Sequence, residues 1–367
     1  MKAYQKAVDD ILPKLETFFT RGFDVHVSGA VKEVQSLSNE MVMVVSTHRS
    51  QTDYFLFGWS LYNHGIKHVR IAAGDNLTTF PVLGKKFRSF GAFAIHRDSG
   101  FKRNYVRDLC KAVVDMMEDG EPILLFPEGG RSYSGAMMEI KGGVLSAAVI
   151  AQAKHPDKKV VLVPASVSYE FLPELPYFGM LAKGKEMRKK ENGFFKRLLG
   201  NAFYFGADII AFAKLLVKVK IGCNHGDVFI DLGQPVCVTD MVDIKANFNS
   251  AARDEFSGHQ ASVRIVSDTI FKMFVSLYRL LPEHLVAAAL GGRGSATKPE
   301  IIAEIGRLRG RCKQQNRNCQ SIDMFTDDQI CAVGLKQLLH VKAVAVRGDA
   351  VVVTDALIVS YYASTIS

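Results

Sequence analysis

Short apolar runs alternate with longer amphipathic ones along most of the chain. Residues 41–45, 69–73, 92–95, 123–126, 160–167 and 227–232 are rich in valine, isoleucine, leucine and alanine. Runs of this length and composition read as strands, most of them buried on both faces, as in a parallel sheet covered by helices. Between them, spacings such as Tyr54, Phe57, Gly58 and Leu61 read as helices. The alternation predicts an α/β fold, with a largely parallel sheet flanked by helices. Residues 1–35 read as a helical lead-in whose apolar stripe is Val8, Ile11, Leu12, Leu15, Phe18 and Phe19. The main domain is then expected over residues 36–290.

A smaller unit is expected over residues 291–367. Gly291-Gly-Arg-Gly-Ser-Ala296 reads as a linker, and Thr297 with Glu300 and Thr326 with Gln329 form capping boxes that open two helices. Residues 341–346 and 351–354, joined by Arg347-Gly-Asp-Ala350, read as a β-hairpin. Two helices and a hairpin resemble a winged helix, and Arg307, Arg309, Arg311, Lys313 and Arg317 raise a nucleic-acid role. These basic residues are expected in a loop between the helices, with no recognition helix rich in Arg, Asn and Gln. A packing module is therefore the reading, with no nucleic-acid partner.

Candidate chemistry sits where strand patterns end. His48 and Asp53 follow the first strand, at its turn into a helix. An imidazole takes a proton from a hydroxyl near neutral pH, and a carboxylate on its other nitrogen fixes the tautomer and steadies the cation. Taken alone, the pair reads more readily as a turn histidine and a helix N-terminal charge. A second cluster changes the balance. The run ending at Phe126-Pro127 opens into Glu128-Gly-Gly-Arg-Ser132, and strand ends are where open α/β sheets bind ligands. Glycines let backbone amides approach a phosphate, and Arg131 offers a planar fork that grips one.

Four blocks now carry a resemblance: His48-Arg-Ser-Gln-Thr-Asp53, Gly91-Ala-Phe-Ala-Ile-His-Arg97, Phe126-Pro-Glu-Gly-Gly-Arg-Ser132 and Val161-Leu-Val-Pro-Ala-Ser-Val-Ser-Tyr169. In this order they resemble the glycerolipid acyltransferases, most closely the bacterial membrane glycerol-3-phosphate 1-acyltransferases. Ala72-Ala-Gly-Asp-Asn-Leu77, Asp231-Leu-Gly-Gln-Pro235 and Thr354-Asp-Ala-Leu-Ile-Val-Ser-Tyr-Tyr362 extend the resemblance over nearly the whole chain. It implies a fatty acyl group moved from a thioester, acyl-CoA or acyl carrier protein, to the sn-1 hydroxyl of glycerol 3-phosphate, without cofactor or metal. It also implies that His48 is the base and Asp53 its partner, and that Arg97, Glu128, Gly129, Arg131 and Ser132 line the acceptor site. Pro164 would shape the wall near the thioester. Lys141 falls where the family often keeps a basic residue, though a solvated lysine explains it equally. Departures are His96 and Tyr133, each where the long bacterial members usually carry arginine, and an end at Ser367 short of their C-terminal region. They leave lysophosphatidic acid and dihydroxyacetone phosphate as alternative acceptors, and a catalytically silent lipid- or nucleic-acid-binding protein as the rival class.

Composition agrees. A chain of 367 residues with 48% hydrophobic content buries a full core, and 46 basic against 37 acidic residues give a net +9 that attracts anions. The six cysteines, Cys110, Cys223, Cys237, Cys312, Cys319 and Cys331, show no paired metal spacing, and the start lacks a secretory apolar run. Reduced thiols in the cytoplasm are expected. Lys183, Lys185, Arg188, Lys189, Lys190, Lys196 and Arg197 precede an apolar, aromatic-rich stretch at 198–213. It reads either as an interfacial segment on an anionic membrane surface or as a core helix behind a basic loop. No uninterrupted apolar run reaches spanning length. A peripheral protein on the cytoplasmic face of the inner membrane is the expectation.

Overall fold

The computed structural model describes residues 2–74, 88–95, 103–181 and 224–366, together with Lys85, Ile210, Lys214 and Val219. Helix α1 (Ala3–Gly22) is followed by β1 (Asp24–Gly29), α2 (Val31–Gln35), β2 (Met41–Ser46), α3 (Asp53–Asn63), β3 (Arg70–Gly74) and β4 (Ala92–Ile95). Then come α4 (Arg103–Glu118), β5 (Ile123–Leu125), α5 (Gly142–Lys154), β6 (Val160–Tyr169), β7 (Asp227–Leu232) and β8 (Val236–Cys237). All six expected strands form. In the main sheet the order is β1-β7-β6-β2-β5-β3-β4, with β8 added to β6. Strands β6, β2, β5, β3 and β4 run parallel, whereas β7 pairs antiparallel to β6 and carries β1 parallel to itself.

The lead-in is not helical throughout. Asp24–Gly29 alternates Val25 and Val27 with polar residues and forms an edge strand against β7. Its period of two, too short to stand out next to a long helical stripe, is completed by pairing. Helix α1 buries Tyr4, Val8 and Leu12 against Trp59 and Tyr62 of α3.

Strand β2 explains why the sheet needs helices on both faces. Met41, Met43 and Val45 enter one apolar cluster with α4 and α5, while Val42 and Val44 enter the other with α3. All six residues of β2 are buried. Each such side chain contributes about 1.5–3 kcal/mol, so the run specifies a central strand.

After α6 (Gln260–Leu277) and α7 (Pro282–Leu290), the chain forms β9 (Ser295–Thr297), α8 (Lys298–Gln314), α9 (Asp327–His340), the hairpin β10 (Val344–Arg347) and β11 (Ala350–Val353), and α10 (Ala356–Ser364). Both capping boxes form. The expected linker ends inside a strand: Ser295 and Ala296 pair with Val352 and Val351, which makes the hairpin a three-stranded sheet. Leu285 and Leu290 of α7 share a cluster with Ile301, Ile330 and Tyr362, so this core begins before residue 291 and merges with that of the main domain.

Arg307, Arg309, Arg311 and Lys313 lie on helix α8 and not in a loop. Arg307 pairs with Glu304, Arg309 with Asp327 at 3.2 Å, and Lys313 with Asp323 at 2.8 Å. Arg317 is buried and donates to the Thr365 carbonyl at 2.6 Å. Arg279, just after α6, donates to Asp231 on β7 and to Ser28 on β1, tying the sheet edge to this half of the chain. Arg279, Arg309 and Arg317 thus link separate segments of the fold.

Glu283 on α7 is 1% exposed, and burial pushes its carboxyl well above the usual carboxylate range. Below the unfolded value of about 4.3 both states are protonated; above it the unfolded chain releases a proton that the fold keeps, so stability falls as pH rises. Glu283→Gln is expected to flatten this decline between about pH 4.3 and 7 and to be the more stable protein at pH 7. Urea midpoints across that range read it directly, and a slope equal to that of the native chain would refute the assignment.

Candidate active site

Strands β2 and β5 are parallel neighbours, with Val45 opposite Leu125. The turns that leave their C-terminal ends therefore emerge side by side. This places His48 next to Glu128 although they are 80 residues apart in sequence. The loop from Ser46 to Asp53 is buried at every position. A buried loop must find acceptors for its own backbone, and this one finds them largely in carboxylates.

The Thr47 N–H donates to the Ala165 carbonyl at 3.3 Å and the His48 N–H to Glu128 Oε2 at 2.8 Å. The Arg49 and Ser50 N–H groups donate to Asp53 Oδ2 at 2.7 and 2.9 Å. The Gln51 N–H donates to Glu174 Oε1 at 2.8 Å and that of Thr52 to the Ser50 hydroxyl at 3.0 Å. Asp53, at the start of α3, faces back along the loop, and its Oδ2 also lies 2.8 Å from His48 Nδ1. The expected pair is formed. His48 and Asp53 are 2% and 0% exposed. The imidazole stacks on Phe126 at 4.4 Å and makes a T-shaped contact with Tyr54 at 5.0 Å.

Three groups around the pair were not singled out from sequence. Tyr169 ends β6, which runs four residues beyond its last pairing with β2 and so reaches across the loop. Its hydroxyl donates to Asp53 Oδ1 at 2.5 Å. Glu174, from the turn after β6, accepts from the Ser50 hydroxyl at 2.8 Å; burial raises its carboxyl, and the Arg131 guanidinium 3.9 Å away opposes that rise. Arg49 is 1% exposed, 3.3 Å from Glu128 and 4.9 Å from the Tyr278 ring centroid. Burial is the largest influence and opposes its charge, but the Glu128 carboxylate together with the Tyr278 and Tyr361 phenols outweighs it and raises the pKa. Arg49 and Tyr169 stood within the quoted blocks. Nothing in the pattern said which way they point.

The expected acceptor residues fall in different places. Arg131 is buried, its Nη2 donates to the Tyr133 hydroxyl at 3.1 Å, and it stacks on that ring. Ser132 donates its N–H to the His48 carbonyl at 3.2 Å and its hydroxyl to the Ala136 carbonyl at 2.7 Å. Gly129 has φ +72°, and a Cβ there would meet Lys141 Cδ and Nζ at 2.7 Å, so its lack of a side chain admits the lysine. Lys141 is thereby placed at the Gly129 turn, with its side chain exposed. Glu128 is a brace: both oxygens accept from protein donors, Oε2 from His48 N–H and Oε1 from Met138 N–H at 3.0 Å. Pro164 lies inside β6 beside Val45, one residue before the last β2–β6 pair, its carbonyl taken by the Gly233 N–H at 2.7 Å. Arg97, His96, Cys223 and the basic and apolar stretches of 183–213, apart from Ile210, lie outside the described residues. Among the described residues, no group of three or more His, Cys, Asp or Glu side chains is arranged to hold a metal ion.

Residues 24–168, from β1 to the penultimate residue of β6, match a family model described as Acyltransferase. The chain is 30% identical over 235 residues to the glycerol-3-phosphate acyltransferase of Haemophilus influenzae (strain PittEE), a stretch covering 64% of this chain and 26% of that protein. It is 33% identical over 194 residues to the glycerol-3-phosphate acyltransferase of Hamiltonella defensa subsp. Acyrthosiphon pisum (strain 5AT), covering 52% of this chain and 23% of that one. Against the protein of that name from Actinobacillus pleuropneumoniae serotype 5b (strain L20) it is 30% identical over 209 residues, covering 57% and 25%. The matched stretch thus spans about a quarter of these relatives' length. Residues 24–168, which carry the buried His–Asp pair, are thus similar to an acyltransferase domain. Within that class the similar proteins are named glycerol-3-phosphate acyltransferases, which supports a place near the glycerolipid acyltransferases.

Proposed function

We propose that this chain transfers a fatty acyl group from a thioester to the sn-1 hydroxyl of glycerol 3-phosphate. The observation that carries the reading is the His48 Nδ1 to Asp53 Oδ2 contact of 2.8 Å, buried where the Glu128–Ser132 turn meets the loop. The names of the relatives support the same acceptor. In this reading His48 Nε2 removes the proton of the acceptor hydroxyl as its oxygen bonds to the thioester carbonyl carbon. Collapse of the tetrahedral adduct breaks the carbon–sulfur bond, and the thiolate leaves with the proton that His48 held. No covalent enzyme intermediate is needed, because the thioester is already activated.

The Arg49 and Ser50 amides before α3 are engaged by the Asp53 carboxylate, the Asp53 amide by the Ser50 carbonyl, and the Gly129 N–H donates to the Phe126 carbonyl at 3.1 Å. The Gly130 N–H is then the candidate donor to the oxyanion. An apolar cleft of about 330 Å³, lined by Tyr133, Leu175, Phe178, Met180, Leu357 and Tyr361, opens beside Arg131, and the reading assigns it to the acyl chain. Among the described residues no helix is long and apolar enough to cross a membrane. Attachment is assigned to the basic stretch 183–197 and the apolar stretch 198–213.

Thiol release from acyl-CoA or acyl carrier protein, run across glycerol 3-phosphate, dihydroxyacetone phosphate and lysophosphatidic acid, tests the reaction. His48→Ala is expected to abolish turnover while leaving donor binding intact, since the base acts on the hydroxyl. Asp53→Asn is expected to fall by orders of magnitude, because an amide neither stabilises the imidazolium nor enforces the tautomer. Near-native turnover in either variant removes that residue from the mechanism.

Arg131→Lys keeps the charge and loses the fork, a loss of about 1–3 kcal/mol expressed as a higher KM for the acceptor. A change confined to the donor KM would reassign Arg131 to the thioester side. For attachment, the native chain is expected to sediment with anionic vesicles at low salt. A variant with Lys189, Lys190, Lys196 and Arg197 all changed to Gln is expected to bind less. Equal binding by both would return this stretch to the core-helix reading.

A further inference from the structure

We propose that Tyr169 is a positioning residue that sets how much of the Asp53 charge reaches His48. The Asp53 carboxylate divides its work between two oxygens. Oδ2 receives His48 Nδ1 and two backbone N–H groups, whereas Oδ1 receives the Tyr169 hydroxyl at 2.5 Å. A phenol donating to a carboxylate at this distance is among the stronger charge-assisted hydrogen bonds. It draws negative charge toward Oδ1 and away from the imidazolium that forms on Oδ2's side. It also fixes the plane of the carboxylate, and with it the direction in which Nδ1–H must point.

The hydroxyl belongs to a longer chain. The Thr52 hydroxyl lies 3.0 Å from Tyr169 Oη and 2.6 Å from the Ser50 hydroxyl, which donates to Glu174 at 2.8 Å. Three hydroxyls thus connect two buried carboxylates. Each end donates to its own carboxylate, so Thr52 holds the one proton free to point either way. Burial and the neighbouring Asp53 charge hold the Tyr169 hydroxyl well above its ordinary pKa, so it remains a donor across the working range. The other charged and titratable groups around the pair are Arg49 and Glu128, Arg131 and Glu174, and the phenols of Tyr54, Tyr278 and Tyr361. Of all these groups Tyr169 donates to Oδ1 at 2.5 Å, and removing its hydroxyl also releases the Thr52 hydroxyl on its other side.

For its rate predictions the inference rests on the acyl-transfer reading. Tyr169→Phe frees Oδ1, so Asp53 stabilises the imidazolium more, and the acid limb of the kcat/KM profile is expected to move up by on the order of half a pH unit. The carboxylate is also less well fixed, and kcat is expected to fall about 10- to 100-fold, as when an outer partner of a functional group is lost. Neither KM should change. Replacing Tyr169 by 3-fluorotyrosine, a stronger donor of nearly the same size, should move the limb the other way. The titration of the His48 imidazole, followed by NMR in the free protein, should show both displacements without any turnover. Opposite displacements establish the role; an unmoved limb and titration, or displacement in the same direction by both replacements, overturns it. Should Tyr169→Phe fail to fold, the fluorotyrosine protein carries the test. If no thioester reacts with any acceptor, the acyl-transfer reading falls, and the imidazole titration still decides the role of Tyr169.

Discussion

The structure depends on how a fully buried loop satisfies its own backbone. Between β2 and α3 the chain passes through the interior, where each unpaired N–H would cost about 1–3 kcal/mol. Three carboxylates, Asp53, Glu128 and Glu174, accept four of these donors. Their charge needs balancing in turn: Arg49 lies 3.3 Å from Glu128 and Arg131 lies 3.9 Å from Glu174. Buried charges of this kind add little net stability, because desolvation offsets most of their attraction. What they provide is a single loop geometry. His48 inherits its position from that geometry and not from contacts of its own side chain alone.

Sheet topology supplies the rest. Parallel pairing of β2 with β5 brings two turns to one edge, and the overhang of β6 carries Tyr169 across to Asp53. The C-terminal helices close the back of the site. Tyr278 lies under Arg49, and the backbone of Tyr361 passes so close to Gly135 that only glycine fits there. The last helix therefore belongs to the support of the active site, although it is far from it in sequence. The aromatic path from Tyr133 through Phe178 to Tyr361 joins the Arg131 turn to that helix by edge contacts at 5.1 and 5.4 Å. A substitution on one side of this path is felt as packing on the other.

Sequence alone determined the features that depend on local pattern. Residues 41–45 had to be a central strand because both faces are apolar, and β2 is buried at all six positions. Thr297 with Glu300 and Thr326 with Gln329 had to open helices because capping is settled within four residues. His48 and Asp53 were legible for the same reason: a carboxylate five residues on, across one turn, is within reach. Where the pattern was weak or short, local reading erred. Asp24–Gly29 becomes a strand only by pairing with β7, and Arg307 to Lys313 belong to a helix whose charges are matched by acidic groups near it and in the next segment.

Only the tertiary structure decided which carboxylates face the loop and which groups face each other. Glu128, expected to line the acceptor site, also braces the loop, because its oxygens accept from the His48, Arg49 and Met138 groups that folding places there. Tyr169 and Glu174 gained their positions from the length by which β6 outruns β2 and from the turn that follows it. Pro164 takes its place beside Val45 from the β2–β6 register, which no local pattern gives. Periodicity and capping act over a few residues and can be read from composition and order. Register, overhang and the direction of a buried side chain are set by partners distant in the sequence, and they exist only once the sheet has formed.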